Sequence, residues 1–215
     1  MTRTIVAMFS GGLDSLAMLH LLLTDLQYAD SNIHVHHVNI RNVEHRSDVE
    51  AKVVEEALQW FKDNGYRPFT TSFSTIEYDS YNGQFLSDTD VTYFFAGYIT
   101  SCKPNSIVAF GVNAGDYHGS TLATRLIRSR EIGAAFGITD RLLPVSELSK
   151  LELYNLLPVG LKDKFWSCRI PKYIDNVATP CNRCRTCKEL ANIGVLVAPK
   201  PLIGPIVAPT NCSTL

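Results

Sequence analysis

A short apolar run, Thr4–Phe9, ends on Ser10-Gly11-Gly12 and gives way at once to helically spaced leucines; no other feature narrows the folds open to this chain so far. The run is β-prone, and Leu16, Leu19, Leu22, Leu23 and Leu26 then recur at the spacing of one helical face over Leu13–Leu26. Gly11 and Gly12 can take backbone angles closed to other residues, which lets amide N–H groups converge on an anion. A helix starting near Leu13 adds its positive dipole end, and Ser10 and Ser15 add hydroxyl donors. The plainer reading of the same residues is a glycine turn with an Asp/Ser helix cap.

Strand and helix signals alternate through the rest of the chain. Ile33–Asn39, Pro68–Phe73 and Ser106–Gly111 read as strands; Ser47–Asn64, Asp88–Cys102, Thr121–Phe136 and Ser149–Leu157 read as helices. Tyr93, Phe94, Phe95 and Tyr98 are expected to face the core, and Leu142–Val145 to run extended. The alternation predicts an α/β fold, a Rossmann-like parallel sheet with helices on both faces. Three parts are expected: residues 1–158 as the nucleotide-binding domain, 159–193 as a metal lobe, and 194–215 as a proline-containing tail.

Hydrophobic residues make up 46% of the 215 and charged residues only 19%, which fits a packed core. A net charge of −1 argues against stable nucleic-acid binding by bulk electrostatics, although Arg125, Arg128 and Arg130 lie close together. No apolar run approaches the ~18–20 residues of a membrane span, so a cytoplasmic protein is expected. In that reducing compartment the six cysteines read as metal ligands rather than disulfides.

Four of them form Cys168-x12-Cys181-x2-Cys184-x2-Cys187, with Cys102 and Cys212 apart. Four thiolates suit a closed tetrahedral Zn²⁺ site, which leaves no position for water and is therefore structural. Arg183, Arg185 and Lys188 are expected to offset its negative charge. An iron–sulfur cluster is the competing occupant. His36 and His37 alternate faces on a strand and are expected to be core or surface residues.

The string Phe9-Ser10-Gly11-Gly12-Leu13-Asp14-Ser15 resembles the SGGxDS pyrophosphate loop of the ATP pyrophosphatase (PP-loop) superfamily. Combined with Trp166-Ser167-Cys168 and Pro180-Cys181-Asn182-Arg183-Cys184-Arg185-Thr186-Cys187, it resembles the 7-cyano-7-deazaguanine synthase (QueC) family. Gly111-Val112-Asn113-Ala114-Gly115-Asp116-Tyr117 is similar to that family's GVNxxDY stretch, and Leu148–Leu153 to its LxKxEI segment. The resemblance implies a ligase that uses ATP and Mg²⁺ to join ammonia to 7-carboxy-7-deazaguanine, giving an amide and then the nitrile. It also implies a PP-loop (adenine nucleotide alpha hydrolase-like) fold with a small C-terminal zinc-binding lobe, and a homodimer.

On that resemblance Phe9, Ser10, Gly11, Gly12, Leu13, Asp14, Ser15 and Leu16 would surround the phosphates, with backbone near Val38 receiving adenine. Asp14, Asp116 and Lys150 would be catalytic; Asn113, Asp116, Tyr117 and Arg125 would meet the substrate; the four clustered cysteines would hold zinc. Two departures alter the expected substrate pocket. The family continues DYSGYPDCRPEF where this chain has Asp116-Tyr117-His118-Gly119-Ser120-Thr121-Leu122, and its YGQRH pattern is replaced by residues Asn39–Arg46. A relative that stops at the amide, or passes the deazaguanine to another acceptor, is therefore one alternative. A tRNA-modifying PP-loop enzyme is another.

Overall fold

A computed structural model describes residues 2–78, 88–117, 122–138 and 140–202, with backbone alone at 117 and 122–126. Five strands form one sheet: β1 (Thr4–Met8), β2 (Asn32–Arg41), β3 (Phe69–Glu77), β4 (Ser106–Phe110) and β5 (Arg141–Leu142). They lie in the order β3-β2-β1-β4-β5, all parallel. Helices α1 (Leu13–Thr24), α2 (Ser47–Asp63), α3 (Asp88–Ser101), α4 (Ala114–Tyr117), α5 (Leu122–Ala134) and α6 (Lys150–Leu156) connect and flank them. The α/β class read from the sequence is the class observed.

Both faces of the sheet are covered, so the central strands are apolar on both sides. Ile5, Ala7, Ile33, Val35, Ile107 and Ala109 pack with α1, α2 and α6 on one face. On the other, Val6, Met8, Val38, Ile40, Val108 and Phe110 pack with α3. The chain runs outward from β1 to β2 and β3, then returns to place β4 on the far side of β1. That reversal leaves a crevice at the carboxyl ends of β1 and β4, the usual ligand position in such sheets. The end of β4 closes tightly on α1. A Cβ on Gly111 would lie 2.6 Å from the backbone of Ser15, so only glycine fits.

Past α6 the chain builds a small lobe from β6 (Lys172–Ile174), β7 (Val177–Thr179), α7 (Arg185–Asn192) and β8 (Lys200–Pro201), the strands pairing antiparallel as β6-β7-β8. Trp166, Cys168, Ala178, Cys181 and Cys187 pack there against Val49 and Val53 of α2. The lobe thus shares a core with the sheet domain.

Several expected elements differ in extent. β2 and β3 are longer than their apolar runs, because polar side chains pair along the edge: His34 with Thr70 and Ser72, His36 with Ser72. α1 stops at Thr24, and Leu26 lies 87% exposed in the turn beyond it. The α3 aromatics do not all face the core. A helix buries one stripe, and Tyr93 occupies it while Phe94 and Tyr98 are 47% and 56% exposed. Cys212 and most of the expected tail lie outside the described residues, although Lys200 and Pro201 pair with β7.

Candidate functional site

The turn after β1 is built to present backbone donors. Phe9 N–H bonds the carbonyl of His36, and His37 Nδ1–H donates to the carbonyl of Phe9 at 2.9 Å, fixing the strand end. Gly11 turns the chain at φ 76°, and a Cβ there would meet Val54 at 2.9 Å. Ser15 Oγ donates to the Gly12 carbonyl and accepts from Ser10 N–H at 3.2 Å, holding the turn closed. Gly12 occupies the N-cap of α1 with no side-chain cap. The first-turn amides of α1 beyond Leu13, whose N–H goes to Ser167 Oγ, therefore carry the orphan donors that an anion satisfies. Phe9, Leu13 and Leu16 are buried beneath the turn, and Val38 lies just past the end of β1 on the neighbouring strand.

Beside the turn the fold gathers four polar residues from distant positions. Lys150 Nζ meets both oxygens of Asp14, at 2.6 and 2.7 Å. Asn113 Nδ2 donates to Asp14 at 3.2 Å and to Asp116 at 2.7 Å. Asp116 is held in turn by its own backbone N–H on Asn113 Oδ1. Burial raises the pKa of Asp14, and the nearby Asp116 charge raises it further; the Lys150 ammonium and the Asn113 amide oppose both. Lys150 opens α6, which begins with a capping box between Ser149 and Glu152. A cavity of about 300 Å³ lies against this group, lined by Asn113, Asp116 and Lys150 from the sheet domain and by Arg185, Glu189 and Asn192 from α7.

The four cysteines converge as expected from their spacing, with their Sγ atoms all within 4.8 Å of one another. Cys181 Sγ and Cys187 Sγ stand 4.0 Å apart. A tetrahedron with metal–sulfur bonds of ~2.3 Å has edges of about 3.8 Å, so the set fits a single ion. Cys181 N–H donates to Cys168 Sγ and Cys184 N–H to Cys181 Sγ, at 3.2 and 3.3 Å, which favours thiolate character. Burial works against the Cys181 thiolate, but backbone donors from Arg183 and Cys184 bring its pKa down to about 6. Burial pushes Cys168 up to about 11. Binding a metal there must release protons. The lobe also touches the glycine turn directly: Trp166 N–H donates to the Gly11 carbonyl, and Leu13 N–H to Ser167 Oγ.

Behind the turn lies a second, buried charge network. Arg46 meets Glu44, Glu50 and Asp88. Arg169, next to Cys168, meets Glu44 at 2.8 Å and Asp88 at 3.0 Å. Two guanidiniums face three carboxylates, and burial pushes the deepest, Glu50, up to about 7. His36 is buried as well; burial first, then the neighbouring His34 and His37, lower its pKa to about 4, so it is neutral near pH 7.

The structure places Asp14, Asp116 and Lys150, expected as a catalytic set, next to one another, with Asn113, expected at the substrate, bonded to both carboxylates. It does not place the side chains of Tyr117 and Arg125, which lie outside the described residues. Arg185, expected to offset the thiolates' charge, has its guanidinium engaged elsewhere. It turns to Glu189 at 2.6 Å and Asp116 at 3.5 Å instead. Its spacing with Glu189 and Asn192, along one helical face next to the cysteines, is the signal that could have found it.

No protein-family model matches the chain, and no curated protein does. Solved structures do match, among them the U34-tRNA thiolase NcsA from Methanococcus maripaludis with its [4Fe-4S] cluster. That match has 15% sequence identity and a TM-score of 0.49, covering 72% of this chain and 56% of the thiolase. Fold and site together define an α/β protein with a glycine turn at the end of β1 and a four-cysteine set that could hold a metal ion. Among the described residues, no helix is long and apolar enough to cross a membrane. What the site does chemically rests on this chain's own side chains.

Proposed function

We propose that this chain is an ATP-dependent ligase of the 7-cyano-7-deazaguanine synthase type, converting 7-carboxy-7-deazaguanine and ammonia to the nitrile through an amide. The observation that carries the reading is the uncapped glycine turn at the carboxyl end of β1, with the Asp14–Lys150 pair and a small cavity beside it. A carboxylate oxygen of the acid attacks the α-phosphorus of ATP, and the bond to the β-phosphate breaks. Pyrophosphate leaves into the turn, whose amides stabilise the charge it gains. Ammonia nitrogen then adds to the acyl carbon and loses a proton, AMP departs with the electron pair of the C–O bond, and the amide remains. A second ATP activates the amide oxygen in the same way; the C–O bond then breaks with AMP carrying off that oxygen, and the nitrogen gives up its two protons to leave the nitrile.

Lys150 is the cation poised to follow charge as it moves onto phosphate, and Asn113 orients both carboxylates beside it. Mg²⁺ would enter on the triphosphate and meet Asp14 or Asp116, supplying charge neutralisation. The cysteine set would hold Zn²⁺ through Cys168, Cys181, Cys184 and Cys187. Their close sulfur spacing supports one ion over a four-iron cube, which sets each thiolate on a separate iron and so farther apart. A net charge of −1 supports a small-molecule acceptor over tRNA. The protein is taken to act as a cytoplasmic homodimer.

The test is to incubate metal-replete protein with the acid, ATP, Mg²⁺ and ammonium, and to weigh the products by mass spectrometry. Nitrile with AMP release supports the reading. Amide alone assigns the truncated reaction, and an unconsumed acid overturns the ligase assignment. Metal analysis should find one zinc and no iron per chain.

A further inference from the structure

The cavity beside Asp14 has two walls of different origin. Asn113, Asp116 and Lys150 come from the sheet domain, while Arg185, Glu189 and Asn192 come from α7, whose N-cap is the thiol ligand Cys184. The α7 residues recur at i, i+4 and i+7 and share one face, while Cys187 and Leu190 are buried on the other. The helix is thus fastened to the cysteine set along one stripe and offers a polar stripe to the cavity.

Among the described residues lining that cavity, Lys150 and Arg185 are the cations. Lys150 is held by both oxygens of Asp14, and 14% of its side chain is exposed. Arg185 is 66% exposed; it spends Nε on Glu189, and Nη2 stands 3.5 Å from Asp116, too long for a good hydrogen bond. A guanidinium carries five N–H donors in a fork that matches a carboxylate bidentately. Most of that fork is uncommitted. Asp116 and Glu189 beside it offer only acceptors, which suit the N–H edge of a planar heterocycle. A volume of about 300 Å³ lies at the low end for small-molecule sites, the size of one fused-ring compound.

We propose that the polar face of α7 is the acceptor-reading wall, with Arg185 pairing the carboxylate of a small heterocyclic acid. This rests on the ligase reading above and adds to it a role for the metal lobe. By anchoring Cys184 and Cys187, the thiolate centre fixes where Arg185 points.

The experiment compares wild type with Arg185→Ala and Arg185→Gln, each checked for full zinc content and an unchanged melting temperature. Calorimetry measures binding of three probes: a non-hydrolysable ATP analogue, 7-carboxy-7-deazaguanine, and its neutral 7-amide. Both variants should bind the acid about tenfold or more weakly than wild type, the scale of a lost charge-assisted hydrogen bond. Both should bind the ATP analogue within about twofold of wild type, which a loosened helix would not allow, and should lose clearly less for the amide, whose single carbonyl oxygen cannot match the fork bidentately, than for the acid. Equal losses for acid and amide, or no loss for the acid, overturn the assignment of Arg185 and leave the ligase reading intact. A wild type that binds the ATP analogue but neither deazaguanine overturns the ligase reading and this inference with it.

Discussion

Around the cavity, Asp14, Asn113, Asp116, Lys150 and Arg185 form a charged chain open to solvent at its Arg185 end. Behind the glycine turn, Glu44, Arg46, Glu50, Asp88 and Arg169 form a second chain that is closed except at Arg169. Both join the sheet domain to the cysteine lobe, and both set carboxylates against long cations. They differ in access. Side-chain exposure at Arg46 and Glu50 is 10% and 8%, against 66% and 41% at Arg185 and Asp116. The closed network spends its charges mainly on one another, although Asp88 Oδ1 has no partner among the described residues and Arg169 is 40% exposed. The open one keeps donors and acceptors in reserve beside a cavity. Similar residue types thus serve as a clamp in one place and as a candidate site in the other.

The largest expected effect comes from breaking the clamp. Arg46→Ala removes the guanidinium shared by Glu44, Glu50 and Asp88; Glu50 can take up a proton, but Glu44 and Asp88 lose their buried partner, at a cost of about 3–5 kcal/mol. Chemical denaturation should show that loss in unfolding free energy. Whatever fraction stays folded should release pyrophosphate at close to the wild-type rate. Lys150→Met should give the reverse pattern. Pyrophosphate release falls about a hundredfold, on the order of 3 kcal/mol of barrier. The melting temperature moves by only about 2–4 °C, because Asp14, already raised in pKa, can take up a proton. A collapse in stability with an unchanged rate would mean that the two networks do not differ in kind.

The two networks also differ in how far the sequence reveals them. Ser10–Ser15 and the four cysteines are legible because each set belongs to a short local pattern whose chemistry fixes its spacing, whereas Asn113 and Asp116 are reached only through the family resemblance of their segment. Strand order follows less directly, since it depends on where β4 returns, yet the alternation of periodicities was enough for the class. The clamp has no such pattern. Glu44, Arg46, Glu50, Asp88 and Arg169 come from segments whose meeting is set only by the packing of α2, α3 and the lobe. The exposed aromatics of α3 fail for a related reason: hydrophobicity marks Phe94 and Tyr98 as core, while helix orientation decides otherwise.

Titration separates the networks further. Glu50 has its pKa raised from 4.5 to about 7 by burial. Between those values the folded protein keeps a proton that the unfolded chain has lost, so this group's contribution to stability falls as pH rises from 4.5 to 7 and is level above. Glu50→Gln keeps a polar partner for Arg46 and has no proton to lose. From pH 4.5 to 7 the difference in unfolding free energy should therefore shift toward the variant by about 2 kcal/mol. Urea denaturation of both proteins across that range measures it. A flat difference would place the surplus proton elsewhere in the clamp.

The smallest effect probes how the open network is held. Lys150 sits at the first position of α6, a helix of seven residues that is too short to form without help. Ser149 and Glu152 satisfy two of its orphan amides through the capping box. Ser149→Ala removes one of those bonds and should cost about 1 kcal/mol, with pyrophosphate release slowed less than tenfold. The melting temperature and the rate need not fall together. If stability drops while the rate holds, Asp14 alone orients the lysine. If the rate drops with it, the frayed helix no longer delivers Lys150 to Asp14, and the open network depends on a local cap as the closed one depends on global packing.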